Sequence, residues 1–250
     1  SATALCLSGG RFRVEASWRT AAGFGMGQAV PLSGDTGYFW FFGPGNVEVI
    51  VKALDGRALN GHFWTFYGAL SNVLYTLTVT DTATGAVRRY LNPAGNLASV
   101  ADTAAFLPDG SGPRLSLGPT GEPSPLEVRT QVATIVPKAP CAPAPGRLCL
   151  AGGRFAVTAA WRDFQGKTGT GTAVALTSDT GYFWFFAPGN VETVLKVLDG
   201  RAVNGKFWVF YGALSNVFYT LTVTDTATGI VKTYTNPLGR LASVADVDAF

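Results

Sequence analysis

Hydrophobic and polar positions alternate with a period of two along much of this 250-residue chain. In Arg11 to Arg19, Phe12, Val14, Ala16 and Trp18 face a core, and Arg11, Arg13, Glu15 and Arg19 face water. Side chains on a strand point to opposite faces in turn, so this pattern predicts a half-buried strand. Phe155, Val157, Ala159 and Trp161 repeat it. From Tyr75 to Thr80 the alternation returns, with Tyr75, Leu77 and Val79 inward and threonines outward. Asp81 to Gly85 then reads as a hairpin loop in which Gly85 takes positive φ, and Ala86 to Leu91 as the partner strand. Further strands are predicted over Val47–Leu54, His62–Tyr67 and Leu97–Val100, and a single helical turn over Asp102–Phe106, capped by Asp102. No stretch carries a helical period.

One stretch breaks the alternation. Tyr38-Phe39-Trp40-Phe41-Phe42 follows Asp35-Thr36-Gly37, and the same eight residues return from Asp179 to Phe186. On a strand, Tyr38, Trp40 and Phe42 take one face and Phe39 and Phe41 the other. Both faces are apolar, so both are covered or one is offered to a partner.

The chain is a tandem repeat. Leu5-Cys6-Leu7-Ser8-Gly9-Gly10-Arg11-Phe12 matches Leu148-Cys149-Leu150-Ala151-Gly152-Gly153-Arg154-Phe155, and Tyr67-Gly68-Ala69-Leu70-Ser71-Asn72-Val73 recurs from Tyr211 to Val217. Module one spans 1–106 and module two 148–250, each about 100 residues, an ordinary domain size. Seven or so short strands per module predict an all-β fold of two tandem immunoglobulin-like β-sandwiches. Residues 107–147 belong to neither copy and read as an extended Pro/Gly-rich linker. It carries one further strand, 126–136, with Leu126, Val128, Val132 and Val136 on one face. Two modules then share one spare strand. Bare sheet edges recruit strands, so one subunit's linker strand is expected to complete a neighbour's sandwich, or to pack between its own two modules.

Charge and cysteines narrow the setting. Charged residues make up 14% of the chain and the net charge is +3 without a basic run, which argues against nucleic acid. No apolar run is long enough to span a bilayer. The start at Ser1 shows no signal-peptide pattern, which suits a processed chain or a fragment. Cys141 and Cys149 flank the start of module two, and we expect them to form a disulfide in an oxidising compartment. Cys6 occupies the place of Cys149 in module one, and the counterpart of Cys141 would lie before Ser1. Three free thiols are the alternative.

Candidate chemistry is sparse. Asp-Thr-Gly at Asp35 and Asp179 evokes the paired carboxylates of aspartic proteases, but Tyr38 and Tyr182 stand where those enzymes carry Ser or Thr, and a turn feeding a strand is the plainer expectation. His62, the sole histidine, is replaced by Lys206 in module two and lacks hydrolase context. Asp35, Glu48, Asp55 and Asp81 show no calcium-loop pattern. Lys52 and Lys196, mid-strand, suggest an isopeptide bond or, more simply, a salt bridge with Glu48 and Glu192. Trp40, Trp64, Tyr67, Trp184, Trp208 and Tyr211 either fill the core or form aromatic platforms for sugars. No catalytic residue, metal or cofactor is expected.

The runs Leu-Cys-Leu-x-Gly-Gly-Arg-Phe, Asp-Thr-Gly-Tyr-Phe-Trp-Phe-Phe, Leu-Asp-Gly-Arg-Ala, Tyr-Gly-Ala-Leu-Ser-Asn-Val and Thr-Asp-Thr-Ala-Thr-Gly resemble an uncharacterised tandem β-sandwich module of large bacterial secreted and surface proteins. The resemblance covers both copies but not the linker. It implies an extracellular location and a structural or adhesive role, and it transfers no site. The expected function is an extracellular subunit that self-assembles with copies of itself, as a filament or surface layer, by donor-strand complementation. The alternative is a carbohydrate-binding or adhesive tandem module.

Overall fold

The structure is a computed structural model that describes residues 2–121 and 139–250, and the backbone alone of 128–132. The chain divides into two compact units, Ser1–Pro123 and Ser124–Phe250.

The strands of unit one are β1 (Ala4–Leu7), β2 (Phe12–Thr20), β3 (Gly23–Met26), β4 (Gln28–Pro31), β5 (Thr36–Trp40), β6 (Val49–Asp55), β7 (Phe63–Ala69), β8 (Leu74–Asp81), β9 (Val87–Asn92), β10 (Ser99–Phe106) and β11 (Leu115–Leu117). One sheet runs β1-β2-β8-β9-β11, with β3 also on β2, and the other runs β10-β7-β6-β5-β4. Unit two has β12 (Val128–Val132), β13 (Leu148–Leu150), β14 (Phe155–Arg162), β15 (Thr168–Thr170), β16 (Thr172–Ala175), β17 (Thr180–Trp184), β18 (Thr193–Gly200), β19 (Lys206–Ala213), β20 (Phe218–Asp225), β21 (Ile230–Asn236) and β22 (Ser243–Asp246). Its sheets are β12-β21-β20-β14-β13, with β15 also on β14, and β16-β17-β18-β19-β22. Each unit also has one short helix before the fourth strand of its second sheet, α1 (Arg57–Asn60) and α2 (Arg201–Asn204). Four residues carry no periodicity, so neither helix was expected.

The two sheets of each unit face each other through aromatic rings. Phe12 of β2 meets Phe63 of β7 at 5.2 Å, and Tyr67 of β7 meets Tyr90 of β9 at 5.7 Å. Phe155 and Phe207 repeat the first contact at 5.1 Å, and Tyr211 and Tyr234 the second at 6.0 Å. Edge-to-face geometry of this kind is favoured by the ring quadrupole. The fold is therefore all-β. Its strand order is not that of the immunoglobulin sheets ABED and CFG. Strands β4 to β7 are consecutive neighbours in one meander, because short connections such as Gly56 to His62 return the chain to the adjacent position.

The linker contributes a strand to each unit. β11 pairs with β9 in parallel, Leu115 opposite Val87. β12 pairs antiparallel with β21 of the same chain, Val128 opposite Tyr234 and Val132 opposite Ile230. Equivalent edges, β9 and β21, are thus both filled from within one chain. Of the expected assembly strand, Leu126 and Val136 lie outside the described residues. The expected helical turn at Asp102 is instead the irregular second half of β10, with a register shift between Asp102 and Phe106. Its cause is local. The Asp102 carboxylate accepts from the N–H of Ala104 (3.2 Å), Arg88 Nε (2.8 Å) and the Tyr90 hydroxyl (2.9 Å), which ties the strand to β9.

Candidate functional site

The aromatic strand distributes its side chains as alternation requires. Phe39 and Phe41 are buried, and Phe41 packs on Tyr75 of the opposite sheet at 5.8 Å. Tyr38 and Trp40 turn to the outer face of the second sheet. There the register places Tyr38 beside Ile50 and Gly68, Lys52 beside Phe66, and Leu54 beside Trp64. Module two repeats this face as Tyr182, Trp184, Val194, Lys196, Leu198, Trp208 and Phe210.

Trp64 is fixed from two sides. Its Nε1–H donates to Asn60 Oδ1 at 2.8 Å, and Asn60 Nδ2 donates to the Thr103 carbonyl at 2.8 Å. Asn60 ends α1, which Gly61 closes with φ +78. The indole lies against Gly56, where a Cβ would sit 2.0 Å from Trp64 Cε2. In module two, Trp208 donates to Asn204 at 2.9 Å, and a Cβ on Gly200 would sit 2.1 Å from the indole. Phe66 stands edge-on to Trp64 at 6.2 Å, and Phe210 to Trp208 at 6.5 Å. The ammonium of Lys52 lies 5.5 Å from the Phe66 ring centre, and that of Lys196 5.5 Å from Phe210. A cation at this distance is attracted by the ring face. Trp40, Trp64, Phe66 and their counterparts stay partly exposed, while Lys52 is only 2% exposed. Burial pushes the Tyr38 and Tyr182 phenols up, so both stay neutral over the physiological range.

Four of the six aromatic candidates, Trp40, Trp64, Trp184 and Trp208, share this outer face. Tyr67 and Tyr211 do not. Both are fully buried between the sheets, because each lies three positions after Trp64 or Trp208 and an odd offset reverses the face.

Sequence reasoning missed a second aromatic feature. Phe42, 53% exposed, packs edge-on to Trp18 at 5.0 Å, and Phe186 packs on Trp161 at 4.9 Å. Beside Trp18 lies a shallow groove of about 470 Å³ lined by Arg19, Phe24, Gly25, Met26 and Leu74. Beside Trp161 a groove of about 500 Å³ has Arg162, Thr168, Gly169, Thr170 and Phe218 instead. The signal was the doubled aromatic at Phe41-Phe42, whose second ring falls beyond the end of β5.

The remaining chemical candidates are engaged in local structure. Asp35 Oδ1 accepts from the hydroxyls of Ser33 (2.7 Å) and Thr36 (2.8 Å), so Asp-Thr-Gly is a turn entering a strand. His62 Nδ1 lies 2.8 Å from the Asn60 carbonyl oxygen, just before β7. Glu48 accepts from the Phe41 N–H at 2.6 Å and from Asn46 Nδ2, closing the loop after the aromatic strand, and Glu192 does the same in module two. Cys141 and Cys149 are disulfide-bonded, and Cys6 is free and exposed.

What this arrangement offers is a stacking surface, a planar indole held rigid at the surface of each module. No helix among the described residues is long and apolar enough to cross a membrane. No family model, curated protein or solved structure matches the chain.

Proposed function

We propose that the chain is an extracellular, non-enzymatic tandem module that binds glycans through the outer aromatic face of the second sheet in each unit. The observation that carries this reading is the pair of pinned, partly exposed indoles, Trp64 and Trp208. An indole presents a flat apolar face, and the C–H faces of a pyranose ring are the natural complement. Pinning removes rotamer freedom before binding, so little entropy is lost on contact. Two equal sites on one chain raise avidity for a repeating polymer, by roughly 100-fold or more where both engage. The disulfide suits an oxidising location.

The test is retention on insoluble polysaccharides of varied linkage. The wild-type chain is expected to sediment with at least one of them, and the Trp64→Ala/Trp208→Ala double variant to stay in solution. Retention of the folded double variant would overturn the reading.

A second reading, self-association at a sheet edge, is favoured by one observation. Leu91, Leu115 and Leu117 are all exposed along the β9–β11 edge of module one, Leu117 to 77%. The β12 strand pairs within its own chain, so strand exchange with a neighbour requires it to leave β21 first. Deleting residues 126–136 separates the readings. Assembly by strand exchange predicts loss of oligomers, and glycan recognition predicts unchanged retention.

A further inference from the structure

The outer face of the first sheet has a hollow in each module, and the two copies line it with different chemistry. In module two the neighbouring strands β15, β14 and β20 set two rows of side chains next to each other. Thr168, Arg162 and Phe218 form one row, and Thr170, Ala160 and Thr220 the other. Strands lie about 4.8 Å apart and same-face residues on one strand about 7 Å apart, so the six positions span roughly 10 Å by 7 Å, the footprint of a single sugar ring. The short Ala160 leaves the hollow, a groove of about 500 Å³. Such a volume falls within the roughly 300–1,000 Å³ of small-molecule sites.

The charge of this groove is one-sided. The Arg162 guanidinium lies 5.0 Å from the centre of the Phe218 ring, a contact that restrains it. Arg162 enters none of the ion pairs among the described residues, and no carboxylate among them lines the groove. Asp163 is engaged in the turn that follows, where it accepts from the N–H groups of Gln165 (2.9 Å) and Lys167 (2.8 Å). Thr168, Thr170 and Thr220 supply hydroxyls around the cation.

Module one keeps the hollow and changes the lining. Phe24, Arg19 and Leu74 form its first row, and Met26, Ser17 and Thr76 its second. Leu74 stands where Phe218 supports the guanidinium, and Phe24, 86% exposed, and Met26 stand in place of Thr168 and Thr170. This groove, about 470 Å³, has the cation without its ring and without the flanking threonines.

We propose that the module-two groove binds a uronic acid residue, a pyranose ring that carries one carboxylate. The planar fork of Arg162 takes the carboxylate through two parallel N–H···O bonds, a geometry that matches a flat carboxylate. Thr168, Thr170 and Thr220 meet the ring hydroxyls, and Ala160 leaves room for the ring. The contact with Phe218 reduces the freedom that a long arginine loses on binding. The site is independent of the indoles on the second sheet. Trp161, beside Arg162 on β14, turns its ring inward onto Phe185 at 6.2 Å, on the opposite side of the strand from the proposed ligand.

The test is a two-dimensional NMR titration of the intact chain with methyl glucuronide, following the Arg162 Nε–H and the amides of Thr168, Thr170 and Thr220. Comparison ligands are methyl glucoside, sodium acetate and a sulfated glucose. We expect the glucuronide to bind about 10-fold or more tightly than each of them, with shifts confined to this groove. Arg162→Gln should weaken it about 10-fold, Phe218→Leu should weaken it less, and Arg19→Gln should leave it unchanged. The Trp64→Ala/Trp208→Ala double variant should bind the glucuronide as wild type does, so this site and the polysaccharide reading fail separately. Acetate or the sulfated sugar binding as tightly as the glucuronide would reduce the groove to a bare anion contact and overturn the proposal. Equal losses from Arg19→Gln and Arg162→Gln, shifts that fall outside the groove, or no saturable shift at all would overturn it as well.

Discussion

The two outer faces of each sandwich differ in how closely the two copies agree. On the outer face of the second sheet, Tyr38, Trp40, Lys52, Leu54, Trp64 and Phe66 recur unchanged as Tyr182, Trp184, Lys196, Leu198, Trp208 and Phe210, while Ile50 becomes Val194 and Gln28, opposite Trp40, becomes Thr172. On the outer face of the first sheet, Arg13, Glu15, Ser17, Arg89 and Leu91 become Ala156, Thr158, Ala160, Thr233 and Thr235, while Thr76, Thr78, Thr80 and Val87 recur as Thr220, Thr222, Thr224 and Val231. Both faces belong to the same pair of copies, so the overall likeness of the copies does not explain the contrast. Burial explains part of it, since Ile50 and Lys52 are covered. It does not explain the partly exposed Trp40, Trp64 and Phe66. Retention of these exposed rings is what the binding role proposed above leads us to expect of this face.

Several substitutions sharpen this contrast. The largest effect is expected on binding. Replacing Trp208 alone by alanine should reduce polysaccharide retention about 100-fold, the avidity that the second linked site supplies, and replacing Trp64 as well should abolish it. Replacing Thr78 and Thr222 on the opposite outer face should leave retention unchanged. Equal losses from both pairs would erase the distinction between the faces.

Next in size is the support beneath the indole. Gly56→Ala forces a methyl group into Trp64, an overpacking expected to cost about 2–3 kcal/mol in thermal or denaturant unfolding and to shift the tryptophan emission. Gly34→Ala, with open space around it, should stay within about 0.5 kcal/mol of wild type.

The cores offer a gain instead of a loss. In module two the Tyr219 hydroxyl donates to Thr193 Oγ1 at 3.2 Å. In module one Val49 stands in that place, and the buried Tyr75 hydroxyl has no partner among the described residues. Val49→Thr should supply one and stabilise the chain by about 1 kcal/mol. A destabilised variant would show that the extra hydroxyl is not reached.

Acid has the mildest effect. Burial raises the Asp225 carboxyl, but hydrogen bonds from Arg154, the Ala227 N–H and Thr228 outweigh it, and the net shift is downward. A carboxylate lowered on folding stabilises above its unfolded value, and that stability is lost as pH falls through the folded one. Asp55 and Asp199 are held at about 2 by hydrogen bonds from Arg57 and Arg201. The melting temperature should therefore hold steady down to about pH 4, the ordinary carboxylate range, and fall below it. Arg154→Met should flatten part of that fall. A melting temperature that falls well above pH 4 would assign acid sensitivity to other groups.

Much of this was readable from residues alone. Alternation placed Phe12, Val14 and Ala16 inward, and the five-aromatic run declared a strand apolar on both faces, leaving open whether both are covered or one is offered to a partner. The spacing of Cys141 and Cys149 pointed to their bond. The same period of two also separates Trp64 from Tyr67, a distinction the list of aromatic candidates overlooked. Other features have no local signature. The parallel pairing of β11 and the capture of β12 by β21 depend on which edge is nearest in space. The turn beneath Trp64 exists because Gly56 admits the ring and Asn60 reaches its nitrogen, a contact between separated residues. The strand order of the sheets is likewise a matter of packing.

The most direct measurement is oxidative footprinting of tryptophans, with and without a polysaccharide that retains the chain. The account predicts protection at Trp64 and Trp208 on binding, with Trp18 and Trp161 unchanged. Protection confined to Trp18 and Trp161, or spread equally over all four, would contradict the claim that the outer face of the second sheet is where the ligand lies.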